Sequence, residues 1–304
     1  MSRAVRVRVP ATSANLGPGF DALALALGWH DVVTARLVDP ASGVHRTWVE
    51  VSGEGAGVVP ADDRHLVVRS MRETFELLGV RADHLELRCE NAVPHGRGLG
   101  SSAAAIVAGV LAARALSGAG DEKLRNEDVL ALGAHIEGHP DNVAACLLGG
   151  LTIAWTSQRG ARAVRLDVHP EVRAVACVPA AAVSTVAARA LLPAEVPHAD
   201  AARNAAGAAL VVEALTHRPE HLLEATQDLL HQPYRAPAMP DSLALVDALR
   251  TRGLAAVVSG AGPSVLVLTA RADEVARVGE IAGPAGWLVR PLDVDRRGAI
   301  VESL

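Results

Sequence analysis

Aromatic side chains are scarce in this 304-residue chain, at 2% of its composition, although half of its residues are apolar. A core for a chain of this length must therefore be built mainly from Ala, Val and Leu, and the length suits one large domain or two smaller ones. No lysine-rich or arginine-rich run occurs and the formal net charge is -5. The clustered positive charge that a phosphate backbone demands is missing, so no nucleic-acid partner is expected. Cys89, Cys146 and Cys177 are odd in number, far apart and without CxxC spacing. They suggest neither a disulfide framework nor a zinc site, and each is expected to pack as a small buried apolar residue. No segment approaches an apolar span of membrane length, and "MSRAVRVRVP" lacks an apolar signal region. No membrane partner is expected, and the location expected is cytoplasmic.

The patterns that are present begin with β structure. "VRVRVP", "VVTARLV" and "RTWVEV" alternate as half-buried strands do, with a Pro/Ser/Gly turn at 40–43 between the last two. "HLVVRSMRETFELLG" then has helical spacing and ends at Gly79, a suitable C-cap, and the strand "HLELRCENA" follows. A buried helix is expected over Ser101–Leu116 and another around Glu127–Ile136, whereas "NVAACLLGGLTIAW" reads as a turn and a buried strand. After "ARAVRLDV" and "VRAVACVP", both strands, come the helices "DAARNAAGAALVVEALT", "PEHLLEATQDLL" and "MPDSLALVDALRTRG". The chain returns to strands with "GLAAVVSGAGPSVLVLTA", a short helix after Asp273 and "GWLVRPLDV". Two α+β lobes in close contact are expected, residues 1–158 and 159–304.

"PHGRGLGSSAAA", Pro94 to Ala105, is a glycine-rich loop running straight into a helix. Such a loop lets backbone approach a ligand closely, and free N–H groups at the helix start favour negative charge, so it is a candidate phosphate cradle. Ser101 and Ser102 are suited to capping the helix, to donating to phosphate oxygens, or to coordinating magnesium. No GxxxxGK[ST] is present and the loop holds no lysine, which excludes a Walker P-loop; the GxGxxG of a dinucleotide fold is absent as well.

Two further stretches, "VPATSANLGPGFDALALAL" (Val9–Leu27) and "VVSGAGPSVLVL" (Val257–Leu268), join the loop as three ordered signatures. Together they resemble the GHMP kinase superfamily over nearly the whole chain. Within it, "PATSANLGPGFD", "IEGHPDNVAACLLGG", "STVAARALLP" and "LLHQPYRAPAMP" are similar to the patterns of homoserine kinases. The resemblance implies a two-lobed GHMP kinase fold with its active site in the cleft between lobes. It also implies ATP-dependent phosphorylation of the side-chain hydroxyl of L-homoserine, in threonine biosynthesis, with Mg2+ accompanying ATP. Residues 1–158 would then be the ATP-binding domain and 159–304 the substrate side. Dimers are common in that family, which makes a homodimer an expectation.

Phosphoryl transfer depends on positioning and charge stabilisation, so the residues should divide into phosphate, metal and substrate sets. By resemblance the nucleotide falls on Pro94, His95, Gly96, Arg97, Gly98, Leu99, Gly100, Ser101, Ser102, Ala103 and Ala104. Arg97 either adds positive charge or is a solvated loop arginine. Glu137 would hold the metal with Ser102, and His139, Asp141 and Asn142 would enter from the following turn. Homoserine carries an ammonium, a carboxylate and a hydroxyl: Asn15 and Asp21 are expected at the ammonium or hydroxyl, Arg189 and Arg235 at the carboxylate. Gly260 and Thr185 are expected to border the substrate. Asn142 stands where mevalonate kinase and galactokinase have a catalytic aspartate, and Asp141 and Asp21 stay open as bases, beside a mechanism that needs none. His65 stands where many relatives use an asparagine to read adenine, which opens the question of nucleotide preference. Other small-molecule kinases of this fold, and a sensor that has lost catalysis, are the rival readings.

Overall fold

The computed structural model describes residues 4–38, 47–82, 84–118 and 120–304. The turn expected at 40–43 lies outside the described residues, as does Arg46 at the start of "RTWVEV". The strands are β1 (Ala4–Ala14), β2 (Leu23–Leu37), β3 (Trp48–Gly53), β4 (Leu85–Asn91), β5 (Leu151–Ser157), β6 (Gly160–Leu166), β7 (Arg173–Val178), β8 (Ala255–Val258), β9 (Val265–Thr269), β10 (Leu288–Leu292) and β11 (Ile300–Ser303). Among the described residues they form two sheets. The first runs β11-β1-β2-β4-β3, with the β5–β6 hairpin attached where β5 pairs the start of β2; the second runs β10-β7-β9-β8. The hairpin straddles the expected 158/159 boundary, and β11 returns from the far end of the chain to pair antiparallel with β1. The first sheet therefore keeps two strands from the second half of the sequence.

The helices of the first half are α1 (Leu66–Leu77), α2 (Ser101–Ser117), α3 (Gly120–Lys123), α4 (Asn126–Glu137) and α5 (Asp141–Leu148). Burial of Val67, Val68, Met71, Thr74 and Phe75 follows one face of α1, as its sequence period predicts. By contrast α2 buries residues on nearly every side, eleven in all, and its alanines let it lie close to β1, α1 and α4. The first core gathers the inner faces of these helices and of β1, β2 and β4. Each fully buried Val or Leu there contributes about 1.5–3 kcal/mol relative to exposure.

The second half carries α6 (Thr185–Ala190), α7 (His198–Thr216), α8 (Leu222–Ala225), α9 (Gln232–Arg235), α10 (Pro240–Arg250) and α11 (Ala272–Ala282). One face of the second sheet packs on α10 and α11. The other shares a core with Leu23, Leu25 and Leu27 of β2 and with Val211 and Leu215 of α7. That shared core joins the lobes, and the cleft lies along its rim.

Two expected elements differ. Residues 141–148, read as a turn, are α5: every residue from Asp141 to Leu147 is buried, so no polar stripe marks the helix. "PEHLLEATQDLL" ends as a helix at Ala225, because Asp228 draws the amides of Leu230, His231 and Gln232 onto its carboxylate at 3.0, 3.0 and 2.7 Å.

Candidate active site

The glycine-rich loop sits between two cavities that both include Ser101 and Ser102 in their walls. The first, of about 230 Å³, is mostly apolar and is walled by Val9, Val33, Val59, Pro60 and Leu66, with His65, His95 and Ala104 at its side. His65 is 6% exposed and caps α1, its Nδ1 accepting from the Val67 amide at 3.3 Å. Burial and the neighbouring His95 hold its pKa below the ordinary value, so the ring is neutral and the proton resides on Nε2.

The second cavity, of about 120 Å³, brings together Asn15, Asp21, Glu137, His139, Asp141, Asn142, Arg189, Arg235 and Gly260, with Gly96, Gly98 and Gly100 of the loop and Thr185 of α6. These residues come from both lobes. Pro94, Arg97, Leu99 and Ala103 border neither cavity. Leu99 and Ala103 pack into the core. Arg97 is half-buried, and its guanidinium donates to the carbonyls of His95, Pro179 and Ala180 at 2.6, 3.3 and 2.6 Å.

Local sequence explains the loop's shape. Gly96, Gly98 and Gly100 all have φ near +70°, the left-handed region that glycine enters freely. A Cβ on Gly98 would stand 2.1 Å from the Ser259 carbonyl oxygen, so side-chain-free backbone is required there. Gly100, in that conformation, is the N-cap of α2 and no side chain caps the helix; neither serine does so. The loop is clipped from the opposite lobe by the 259–264 turn. Ser259 Oγ donates to the Gly98 carbonyl at 2.6 Å, the Ser264 amide to that of Arg97 at 3.3 Å, and the Gly260 amide to that of Ala14 at 3.0 Å.

Ser102 Oγ donates to Glu137 Oε2 at 2.7 Å, linking the first turn of α2 to the last residue of α4. Burial raises the Glu137 pKa, while the Ser102 hydroxyl and His139 act in the opposite direction. Gly138, at φ +91°, turns the chain so that Asp141 starts α5. Asp141 Oδ1 then accepts from the Asn142 amide at 2.7 Å and lies 2.9 Å from His139 Nδ1. This contact raises the His139 pKa against the effect of burial. Asn142 Oδ1 accepts from the Thr12 hydroxyl at 2.7 Å.

On the amino-acid side, the chain leaves β1 through Asn15 (φ +72°) and Leu16 (φ +49°) and reaches Asp21 (φ +53°), three non-glycine residues in left-handed backbone. Such conformations persist only where surrounding contacts fix them. Asn15 Nδ2 donates to the Gly260 carbonyl at 2.8 Å, and its Oδ1 accepts from the Asp21 amide at 3.0 Å. Arg189 grips Asp21 with two bonds of 2.8 Å, which raises the arginine's pKa. Arg235 is buried and lies 5.5 Å from the Phe20 ring centre. Thr12, Phe20 and His231 support the site without having been singled out by sequence, since each reaches it through contacts between distant segments.

Residues 65–150 match the model for the GHMP kinase N-terminal domain, and residues 211–285 that for the C-terminal domain. A homoserine kinase of Streptomyces avermitilis is 57% identical over 99% of this chain and 96% of that protein. The chain belongs to the homoserine kinase family of GHMP kinases. A family member from Streptomyces coelicolor is 55% identical over 99% of this chain and 95% of its own length. The crystal structure of homoserine kinase from Cytophaga hutchinsonii superposes with a TM-score of 0.84 at 27% identity, covering 98% of this chain and 97% of that one. The α+β, two-lobed GHMP kinase fold and its ATP-dependent chemistry follow for this chain. Among the described residues no helix is long and apolar enough to cross a membrane.

Proposed function

We propose that this chain transfers the γ-phosphoryl group of ATP to the side-chain hydroxyl of L-homoserine, giving O-phospho-L-homoserine for threonine biosynthesis in the cytoplasm. One observation carries the reading: a loop suited to phosphate and a set of charges suited to a zwitterion face the same small cavity. The base of ATP occupies the apolar cavity beside His65. Its phosphates lie along Gly98 to Ser102, where backbone N–H groups and the N-terminus of α2 favour negative charge. Asp21 takes the substrate ammonium, and Arg189 and Arg235 the carboxylate, so the Asp21–Arg189 pair exchanges its two bonds for bonds to the substrate.

The donors fit magnesium. Glu137 and Ser102 present two hard oxygens, bonded to each other. That suits a cation that draws most of its ligands from phosphate and water. When bound, Mg2+ neutralises charge on the β- and γ-phosphates. Asn142 cannot serve as a base, because a neutral carboxamide is far too weakly basic to take a proton; its oxygen accepts a hydrogen bond from Thr12. With a loose transition state the hydroxyl proton leaves late, to an oxygen of the transferred phosphoryl group.

A coupled ADP-release assay with ATP, magnesium and L-homoserine, with L-threonine, L-serine and shikimate as comparison substrates, tests the reading. Magnesium-dependent turnover selective for homoserine supports it. Turnover of another alcohol overturns the substrate, and none with any substrate overturns the activity.

A further inference from the structure

His231 does not border the cleft, yet it lies fully buried against the residue that does. Its Nε2 is 2.9 Å from the Gly17 carbonyl oxygen, which only accepts, so Nε2 carries the proton. Nδ1 is therefore an acceptor, and Arg235 Nη1 donates to it at 3.1 Å. The other hydrogen on Nη1 goes to the Gly260 carbonyl at 3.0 Å. One corner of the guanidinium is thus fully committed. Its Nε has no partner, although Arg235 is only 2% exposed and forms part of the cleft wall. The ring of His231 stacks on Phe20 at 5.2 Å, and the same Phe20 ring lies against Arg235 and Arg189. Burial keeps His231 neutral, and the neighbouring Asp228 carboxylate is occupied by three backbone amides.

We infer that His231 is a positioning residue for carboxylate recognition: by holding Arg235 Nη1 it leaves the Nε–Nη2 edge to grip the acid group of the substrate. A guanidinium grips a carboxylate well through two parallel N–H groups, and Nε with Nη2 is such an edge. The inference rests on the proposed role of Arg235. It makes His231 a determinant of selectivity for amino acids over amino alcohols that lack the carboxylate.

Steady-state kinetics of His231→Phe, His231→Asn, Arg235→Ala and the His231→Phe/Arg235→Ala double variant test it, with L-homoserine and with 3-aminopropan-1-ol, which has no carboxylate. Losing one bond to a charged group should raise the homoserine KM of His231→Phe about tenfold, with the ATP KM within about twofold of wild type. His231→Asn, whose amide oxygen replaces Nδ1, should recover to within about threefold. The double variant should be no worse than Arg235→Ala, because the two residues act as a unit. Turnover of 3-aminopropan-1-ol should not respond to His231→Phe. Additive losses, equal damage with both alcohols, or ATP and homoserine KM values rising together overturn the inference. An unchanged homoserine KM in Arg235→Ala overturns the underlying role of the arginine, and the inference with it. If His231→Phe does not fold, His231→Leu takes its place: it too fills the site with an apolar side chain and offers no acceptor for Arg235.

Discussion

The two cavities that meet at Ser101 and Ser102 are built by different means. The phosphate loop is backbone: consecutive residues, left-handed glycines and a helix start, clipped by carbonyl and hydroxyl bonds from the 259–264 turn. The amino-acid side is assembled from charged side chains on β2's approach, α6 and α9, whose partners lie as many as 168 residues away in sequence. Backbone geometry tolerates little change but needs few particular side chains. Side-chain geometry depends on each group being held by another, so its failures should appear substrate by substrate.

The largest effect expected is at the junction. Glu137→Ala should lower kcat about a thousandfold through loss of metal and phosphate positioning. Near-normal turnover in magnesium titrations would remove Glu137 from the metal site. Next is Gly98→Ala, which forces a Cβ against the Ser259 carbonyl at positive φ. It should cost about 2 kcal/mol of stability and about a hundredfold in kcat/KM for ATP. Gly79→Ala, equally left-handed but with nothing within 4 Å, should cost about 1 kcal/mol and leave the ATP KM alone. Equal behaviour of the two glycines would show that conformation, not the clip, governs the loop.

On the amino-acid side, Arg189→Ala should raise the homoserine KM about tenfold while the ATP KM holds. Its pair with Asp21 is about 40% exposed, with side chains at 44% and 37%, so thermal stability should change by less than about 1 kcal/mol. A matching rise in the ATP KM would mean that the two sides are not separable.

The smallest effect concerns Asp31, buried beside the apolar cavity with Oδ1 accepting from the Ala92 and Val93 amides at 2.7 and 2.8 Å. Burial raises its pKa in the folded state against these two bonds. An acid with a raised folded pKa favours folding most below its unfolded pKa, and that contribution is lost as pH rises through the folded value. Asp31→Asn keeps both acceptor bonds and does not titrate. Its stability relative to wild type should therefore increase from acid toward neutral pH and then level off, as read by denaturant unfolding. A pH-independent difference would show that burial of the charge carries no cost.

How much of this was legible in the sequence follows the same division. The loop, its helix, and the alternation of β1 could be read locally because their periods and glycines lie within a dozen residues. Asn15, Asp21, Glu137, His139, Asp141, Asn142, Arg189, Arg235 and Gly260 were found through stretches resembling a family, and they do line one cleft. Arg97 resisted reading because its partners, Pro179 and Ala180, belong to the other lobe. Phe20 and His231 lie within the quoted stretches yet were not singled out there: a buried histidine on an aromatic ring looks in sequence like any core pair. α5 was hidden by burial on all sides, and β11 by its brevity and its distance from β1.

The return of β11 to β1 also bears on how the chain is made. Arg8 finds its partner Ile300 only after 292 further residues have been synthesised. At ribosomal rates of about 5–20 residues per second, the outer edge of β1 waits roughly 15–60 seconds for its neighbour. An unpaired edge beside a half-built sheet is where foreign strands add. The first lobe should therefore be most prone to aggregation during synthesis itself, and its protection then rests on the speed with which the second lobe follows.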